Sequence, residues 1–182
     1  MAVAAVLLAD GFEEIEAISI IDVLRRAGVD VRVARVGDRS DASTGAHAVK
    51  IAVDVHLDDL DGDALDAVVL PGGMPGATNL RDSQAVMNLL AGHAAKGKLT
   101  AAICAAPIAL AAAGVISGKR VTCYPGFEAQ LGDAVHVDAR VVEDGHVVTG
   151  AGPGPALEFS LALAARLASV DVAAQLRAGM LV

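Results

Sequence analysis

The chain has 182 residues, a length that suits one domain of ordinary size and is short for two. Apolar residues make up 54% and aromatic residues only 2%, so Ala, Val, Leu and Ile must fill the core. The formal net charge of -8 argues against binding nucleic acid through its phosphates, which needs a concentrated patch of Lys and Arg. We therefore expect residues 1–182 to form a single domain that binds neither nucleic acid nor a membrane.

Cysteine usage and the apolar segments indicate a cytoplasmic protein. Two cysteines cannot build a disulfide framework, and the spacing of Cys104 and Cys123 fits no common zinc pattern, so a reducing compartment is expected. The apolar N-terminus lacks the basic leader and the length of a signal peptide. Leu99 to Ile116 is free of charge, but its many alanines and Pro107 favour a buried strand, a sharp turn and a buried helix over a membrane span.

The chain opens with the pattern of a βαβ unit. Val3 to Leu8 is an apolar run that predicts a buried strand. A helix follows, because Ile15, Ile18, Ile21 and Leu24 recur with the three-to-four spacing of one buried face, and Gly28 stands where a helix ends. Val29 to Val36 alternates as a strand exposed on one face does.

The rest of the chain continues to alternate strands with helices. Further strands are predicted at His47 to Val55, Leu65 to Leu70 and Leu99 to Ile103, with a strand pair at Val141 to Val148. Helices are predicted near Ser83 to Ala95, at Ala105 to Ala113 and at Glu158 to Leu167. This order predicts an α/β fold with an open, mostly parallel sheet and helices on both faces.

Cys104 is the main candidate for chemistry. It lies between a predicted buried strand and a predicted helix, so a tight turn would hold it at the carboxyl end of the sheet, where open α/β folds bind ligands. A sulfur at a helix N-terminus is expected to have a lowered pKa, as a nucleophile requires. The alternative is a buried structural cysteine, which is the usual role of a free cysteine.

Glu16 is the candidate proton partner of Cys104. It lies in the segment Asp10 to Glu16, at the carboxyl end of the first strand, and can point along the sheet edge toward the cysteine. An ionised carboxylate would raise the pKa of the thiol by repulsion, so a useful Glu16 must be protonated and donate to the sulfur. For Glu13 and Glu14, simple complementation of the helix dipole remains the strong alternative.

Two glycine-rich turns complete the candidate site. Gly72 and Gly73 follow a buried strand, match neither a dinucleotide fingerprint nor a P-loop, and either permit close backbone approach or form a plain turn. In the first case an N–H there, together with the N–H of Ala105, would face a developing oxyanion. Gly150 to Pro155 predicts the start of a helix near the same edge. The five histidines show no metal-binding arrangement, so neither a metal nor a cofactor is expected.

Taken together, these segments resemble the DJ-1/ThiJ/PfpI family over nearly the whole chain, and its DJ-1 branch in particular. The matching segments are 9–17 (ADGFEEIEA), 68–73 (VVLPGG), 101–107 (AAICAAP) and 149–154 (TGAGPG). The resemblance implies a flavodoxin-like fold, a homodimer, a reactive Cys104 beside a protonated Glu16, and an oxyanion pocket from Gly73 and Ala105. Gly72 and Tyr124 are expected to contact substrate there.

One residue departs from the family pattern. Several relatives carry His where this chain has Tyr124, and Tyr cannot serve as a base at neutral pH because its ordinary pKa is near 10. The resemblance therefore favours a cofactor-independent enzyme acting on α-oxoaldehydes such as methylglyoxal, or on their adducts, as a glyoxalase III or deglycase does, in carbonyl or oxidative stress. A redox-sensing or chaperone-like protein is the alternative, and an amidase or peptidase ranks lower.

Overall fold

The computed structural model describes all of residues 1–182 and centres on a seven-stranded sheet. The strands are β1 (Val3–Leu8), β2 (Asp30–Arg35), β3 (Ala42–Thr44), β4 (Lys50–Ala52), β5 (Val55–His56), β6 (Ala67–Leu70), β7 (Leu99–Ile103), β8 (Arg120–Val121), β9 (Val135–His136), β10 (Val141–Asp144) and β11 (Val147–Gly150). The helices are α1 (Glu14–Arg26), α2 (Gly76–Asp82), α3 (Gln84–Ala95), α4 (Pro107–Ala112), α5 (Ala156–Leu167) and α6 (Val170–Gly179).

The sheet is parallel except at one edge. Its strand order is β10-β11-β7-β6-β1-β2-β5, and only the β10–β11 hairpin is antiparallel. Two small pairs, β3–β4 and β8–β9, lie outside it. The central strands β1, β6 and β7 are almost entirely buried, which explains their continuous apolar sequences. The predicted α/β architecture is confirmed.

Helices cover both faces of the sheet. On one face α1 packs against α5, and α5 against α6; on the other, α2, α3 and α4 pack against one another. One hydrophobic cluster of 49 buried residues joins these layers. None of the helices combines the length and the apolar character needed to cross a bilayer. The segment Leu99 to Ile116 contains β7, a turn and α4, as predicted.

Two sequence predictions were wrong in detail. The run from His47 to Val55 is not one strand, because a turn precedes β4 and a bend separates it from β5. Its alternation comes from two short strands that pair with different partners, β3 and β2. On α1, Ile21 and Leu24 are buried as expected, but Ile15 and Ile18 are 59% and 48% exposed. The buried face is rotated, because Glu16, Ala17 and Ile20 point inward instead.

Candidate active site

Three neighbouring strands bring the candidate residues together. β7, β6 and β1 are adjacent in the sheet and parallel, so their carboxyl ends meet at one edge. Cys104 directly follows β7, Gly72 and Gly73 follow β6, and Glu16 lies in the first turn of α1 after β1. This edge is where an open α/β sheet forms its ligand crevice.

Cys104 occupies a strained turn. Its φ angle is +63°, in the left-handed region that costs a non-glycine residue about 1–3 kcal/mol. Two backbone hydrogen bonds hold the residue there: its N–H donates to the Gly150 carbonyl at 2.9 Å, and its carbonyl accepts from the Tyr124 N–H at 2.8 Å. The strand-to-helix turn predicted from the sequence is therefore present, and it fixes the position of the sulfur.

Glu16 is fully buried although it carries a carboxyl group. Its Oε2 accepts a hydrogen bond from the Gly72 N–H at 2.7 Å, while its Oε1 has no hydrogen-bond partner. A buried carboxyl with one unsatisfied oxygen is costly in the ionised form. Burial therefore raises the pKa of Glu16 to about 7, although the hydrogen bond from Gly72 opposes this shift.

Gly72 lies against both side chains. A Cβ atom placed on Gly72 would lie 2.6 Å from the Cβ of Cys104 and 2.8 Å from Oε2 of Glu16, distances that real Cβ atoms do not show. Gly73 is equally constrained, because its φ is +90° and a Cβ there would lie 2.3 Å from the Glu13 nitrogen. Both glycines allow the close backbone approach that the sequence suggested.

The expected low pKa of Cys104 is wrong. Burial, followed by the charge of Glu16 and the interaction of the two side chains, raises the pKa of Cys104 to about 12. The N–H groups of Ala105 and Gly73 act on the same sulfur and lower its pKa, but they do not outweigh burial. A helix N-terminus alone therefore does not create a thiolate here, and the proton of the Cys104–Glu16 pair must be treated as shared.

Access to Cys104 is narrow. The residue is only 9% exposed, and the largest surface cleft lies elsewhere, beside Asp10 and Arg35, without contribution from Cys104 or Glu16. Tyr124 is 46% exposed, and its ring lies against Gly152 in the glycine-rich turn before α5. The backbone of Tyr124 is thus bound to the cysteine turn, while its ring lies toward solvent.

Two polar clusters near this edge were not predicted from the sequence. Glu14 is buried and accepts hydrogen bonds from the backbone N–H of His47 at 2.6 Å and from its ring at 2.9 Å. Burial opposes ionisation of Glu14, but these hydrogen bonds outweigh it and lower its pKa. The second cluster joins Cys123, Glu128 and His136. No sequence spacing indicated either cluster, because each depends on loop geometry.

Comparison with known proteins agrees with this architecture. The model of the DJ-1/PfpI family matches residues 2–166. Protein dj-1beta of Drosophila melanogaster is 43% identical over 98% of this chain and 96% of its own length. The crystal structure of the same fly protein superposes with a TM-score of 0.95, covering 100% of this chain and 98% of that one.

Two further relatives differ in length or in described activity. Protein DJ-1 homolog B of Arabidopsis thaliana is 38% identical over 96% of this chain, which spans only 40% of the plant protein. Glutathione-independent glyoxalase DJR-1.2 of Caenorhabditis elegans is 36% identical, covering 82% of this chain and 79% of the nematode protein. With the family match across most of its length and the fold it shares with the fly protein, the chain belongs to the DJ-1/PfpI family and has its flavodoxin-like fold.

Proposed function

We propose that the protein is a cofactor-independent glyoxalase that converts α-oxoaldehydes such as methylglyoxal to hydroxyacids, with Cys104 as nucleophile and Glu16 as proton carrier. The observation that carries the proposal is the position of Glu16, fully buried against Gly72 with a pKa raised to about 7. A carboxyl group poised near neutral pH can both release and accept a proton during one turnover. The relative described as a glutathione-independent glyoxalase supports the same class of reaction.

The first step forms a bond between sulfur and the aldehyde carbon. The proton of the thiol passes through Glu16 to the carbonyl oxygen, so that a neutral hemithioacetal results. When Glu16 holds this proton, its charge no longer raises the pKa of Cys104, which lowers the cost of forming a thiolate against the remaining effect of burial. The N–H groups of Gly73 and Ala105, which already act on the sulfur, are placed to stabilise the developing oxyanion.

The second step moves a proton between the two carbons. The Glu16 carboxylate removes the proton of the former aldehyde carbon and delivers a proton to the neighbouring ketone carbon, through an enediol intermediate. Over the same step the ketone oxygen gains a proton and becomes a hydroxyl, while the hydroxyl of the first carbon loses its proton and becomes the thioester carbonyl. The first carbon is thereby oxidised and the second reduced, so no external redox partner is needed. Water then hydrolyses the resulting thioester to release lactate and restore the thiol.

The narrow opening favours a small substrate. A sulfur on a residue that is 9% exposed can be reached by a two- or three-carbon aldehyde far more easily than by a folded polypeptide. No histidine is among the groups that shift the pKa of Cys104, which weakens the case for an amidase or peptidase with a Cys–His pair. Gly72 and Tyr124 remain proposed substrate contacts, and action on methylglyoxal adducts remains a variant of the same chemistry.

The alternative is a redox sensor in which Cys104 is oxidised without turnover. Lactate formation from methylglyoxal without glutathione, measured for the parent protein and Cys104→Ser, separates the two functions. The proposal predicts lactate from the parent and none above background from the variant. Background rates from both proteins, together with peroxide oxidation of Cys104, would favour the sensor.

Two properties of the protein in the cell accompany this proposal. The exposed Ile15 and Ile18 on α1 form an apolar surface that supports association of two copies into a homodimer. Light scattering of the parent and of Ile15→Lys tests the dimer, which the substitution should weaken.

Both cysteines are free, which suits the reducing cytoplasm as the proposed location.

A further inference from the structure

Three side chains with metal-binding atoms converge beyond the cysteine turn. Cys123 follows β8, His136 ends β9, and Glu128 begins the 3₁₀ turn Glu128–Gln130 between these strands. Their ligand atoms, one each from sulfur, imidazole and carboxylate, all lie within 4.8 Å of one another. They come from three separate parts of the chain, so their convergence results from the fold and not from a local sequence repeat.

The backbone around this cluster is fixed by hydrogen bonds. β8 and β9 pair in parallel with Val121 opposite His136, and the Val137 N–H donates to the Val121 carbonyl at 2.8 Å. The Gly126 N–H donates to Oε2 of Glu128 at 2.8 Å, which orients the carboxylate and leaves Oε1 available. The strands and the connecting loop therefore fix the backbone positions of the three residues before any ligand arrives.

The donor set matches the chemistry of zinc. Thiolate, imidazole and carboxylate are all zinc ligands, and three protein ligands leave the fourth tetrahedral position to water. Tetrahedral zinc requires its ligand atoms to be about 3.3–3.8 Å apart, so separations of up to 4.8 Å need to shrink by at most about 1.5 Å. Glu128 and His136 are exposed and free to adjust, whereas Cys123, 3% exposed, is a fixed anchor. The thiolate disfavours Mg²⁺ and Ca²⁺, which prefer oxygen ligands.

We propose that Cys123, Glu128 and His136 form a binding site for a divalent transition metal of the zinc class. Binding breaks the S–H bond of Cys123, forms a sulfur–metal bond and releases one proton to solvent, with no change in oxidation state. The site is separate from the Cys104–Glu16 pair but close to it in the fold, because Tyr124, next to Cys123, donates its N–H to the Cys104 carbonyl. It does not depend on the proposed glyoxalase activity.

Cobalt is the appropriate probe, because Co²⁺ substitutes for zinc and gives a sulfur-to-metal absorption band in the near ultraviolet. The titration uses tag-free Cys104→Ser protein, in which Cys123 is the single remaining thiol. The proposal predicts a band that saturates at one equivalent of Co²⁺, visible bands of tetrahedral cobalt, and loss of both on adding one equivalent of Zn²⁺. A protein that shows no such band with excess Co²⁺ would overturn it.

Surface variants in the same background distinguish a site from a lone thiol. His136→Asn and Glu128→Gln alter exposed residues and should leave the fold intact by circular dichroism. Each should weaken cobalt binding at least about tenfold, because each removes one ligand. His56→Asn in the same background is the matched control and should bind cobalt as tightly as Cys104→Ser does. Unchanged affinity in either His136→Asn or Glu128→Gln would contradict the three-ligand site.

Discussion

The backbone N–H of Gly72 donates a 2.7 Å hydrogen bond to Oε2 of Glu16, and the same glycine leaves no space for a Cβ beside that oxygen. The Gly72 carbonyl also accepts a 2.8 Å hydrogen bond from the N–H of Glu13, the residue that precedes α1. The turn after β6 therefore positions both the beginning of α1 and the buried carboxyl. This relationship links the fold directly to the proposed chemistry.

Gly72→Ala is expected to lower both turnover and stability. The added methyl group must displace Cys104 or Glu16, since a Cβ would lie under 3 Å from both. A displacement of about 1 Å can reduce turnover about a hundredfold. Turnover of methylglyoxal and a thermal unfolding curve on the same sample measure the two effects.

Gly92→Ala is the matched control for Gly72→Ala. Gly92 lies within α3, and a Cβ there would have no neighbour within 4 Å. Alanine should stabilise this helix by about 0.5–1 kcal/mol and leave turnover unchanged. Equal turnover in Gly72→Ala and Gly92→Ala would show that the close approach of Gly72 has no role in catalysis.

Glu16 should make the protein less stable as the pH rises from about 4.5 to about 7. Its pKa is raised from 4.5 in the unfolded chain to about 7, so the folded state holds the proton more tightly. The stabilising contribution of the Glu16 proton is fully present below pH 4.5 and is lost as the pH rises to about 7. Above that pH it does not change further, and the total loss is on the order of 3 kcal/mol. Urea unfolding at pH 5 and pH 8 measures the loss.

Glu16→Gln isolates that contribution, because the amide cannot titrate. Relative to the parent protein, the variant should therefore become more stable between pH 5 and pH 8. The contributions of all other titrating groups are the same in both proteins and cancel in the difference. Cys104 does not interfere in this range, since its pKa is raised from 9.0 to about 12. A constant difference across the range would show that the carboxyl is ionised throughout.

Cys104 should react faster than Cys123 with limiting iodoacetamide. Both residues are buried, but the amides of Ala105 and Gly73 favour the thiolate only at Cys104. Burial, followed by the charge of Glu128, raises the pKa of Cys123 to about 11 without any opposing group. The pKa of Cys104 beside Glu16 is higher still, about 12. Faster labelling of Cys104 therefore requires that Glu16 be protonated, and it is favoured by the greater exposure of Cys104, 9% against 3%. Peptide mass spectrometry after brief labelling measures the ratio, and equal labelling of the folded protein would reject this assignment.

Peroxide should convert Cys104 to a persistent sulfinate. The new oxygens would accept hydrogen bonds from the N–H groups that act on the sulfur, and the protonated Glu16 carboxyl can donate a further hydrogen bond through Oε1, which has no partner. Non-reducing digestion identifies the product by mass. The competing outcome is a disulfide between Cys104 and Cys123. If this disulfide is the dominant product of oxidation, the prediction is contradicted.

The sequence predicts the sheet better than the surroundings of the site. The apolar runs of β1 and β7 have the observed bounds, because a strand buried on both faces leaves an uninterrupted apolar signal. Helix α2 was not predicted, since it is short and shows no apolar period, and α6 was missed because only Ala173 among its residues is buried. The 3.6-residue pattern also misplaced the buried face of α1.

The burial of Glu16 explains that last error. The helical period assigns charged residues to the solvent side, yet Glu16 points inward and carries the carboxyl proposed to move the proton. The turn at Cys104 was predictable, because small residues between a strand and a helix indicate it. Its pKa was not predictable, because it depends on how close Glu16 lies and on how little water reaches the sulfur. The convergence of Cys123 and His136 likewise requires the pairing of β8 with β9.

The most direct test of the central claim compares alkylation and turnover in Glu16→Gln. Glutamine keeps the shape and a hydrogen-bond donor, so Cys104 should still be alkylated near neutral pH, but it cannot carry a proton, so lactate formation from methylglyoxal should fall about 10²–10⁴-fold. Glu143→Gln, at an exposed ion pair with Arg166, is the matched control and should keep the parent's rates. Full turnover in Glu16→Gln would contradict the assignment of Glu16 as the proton carrier.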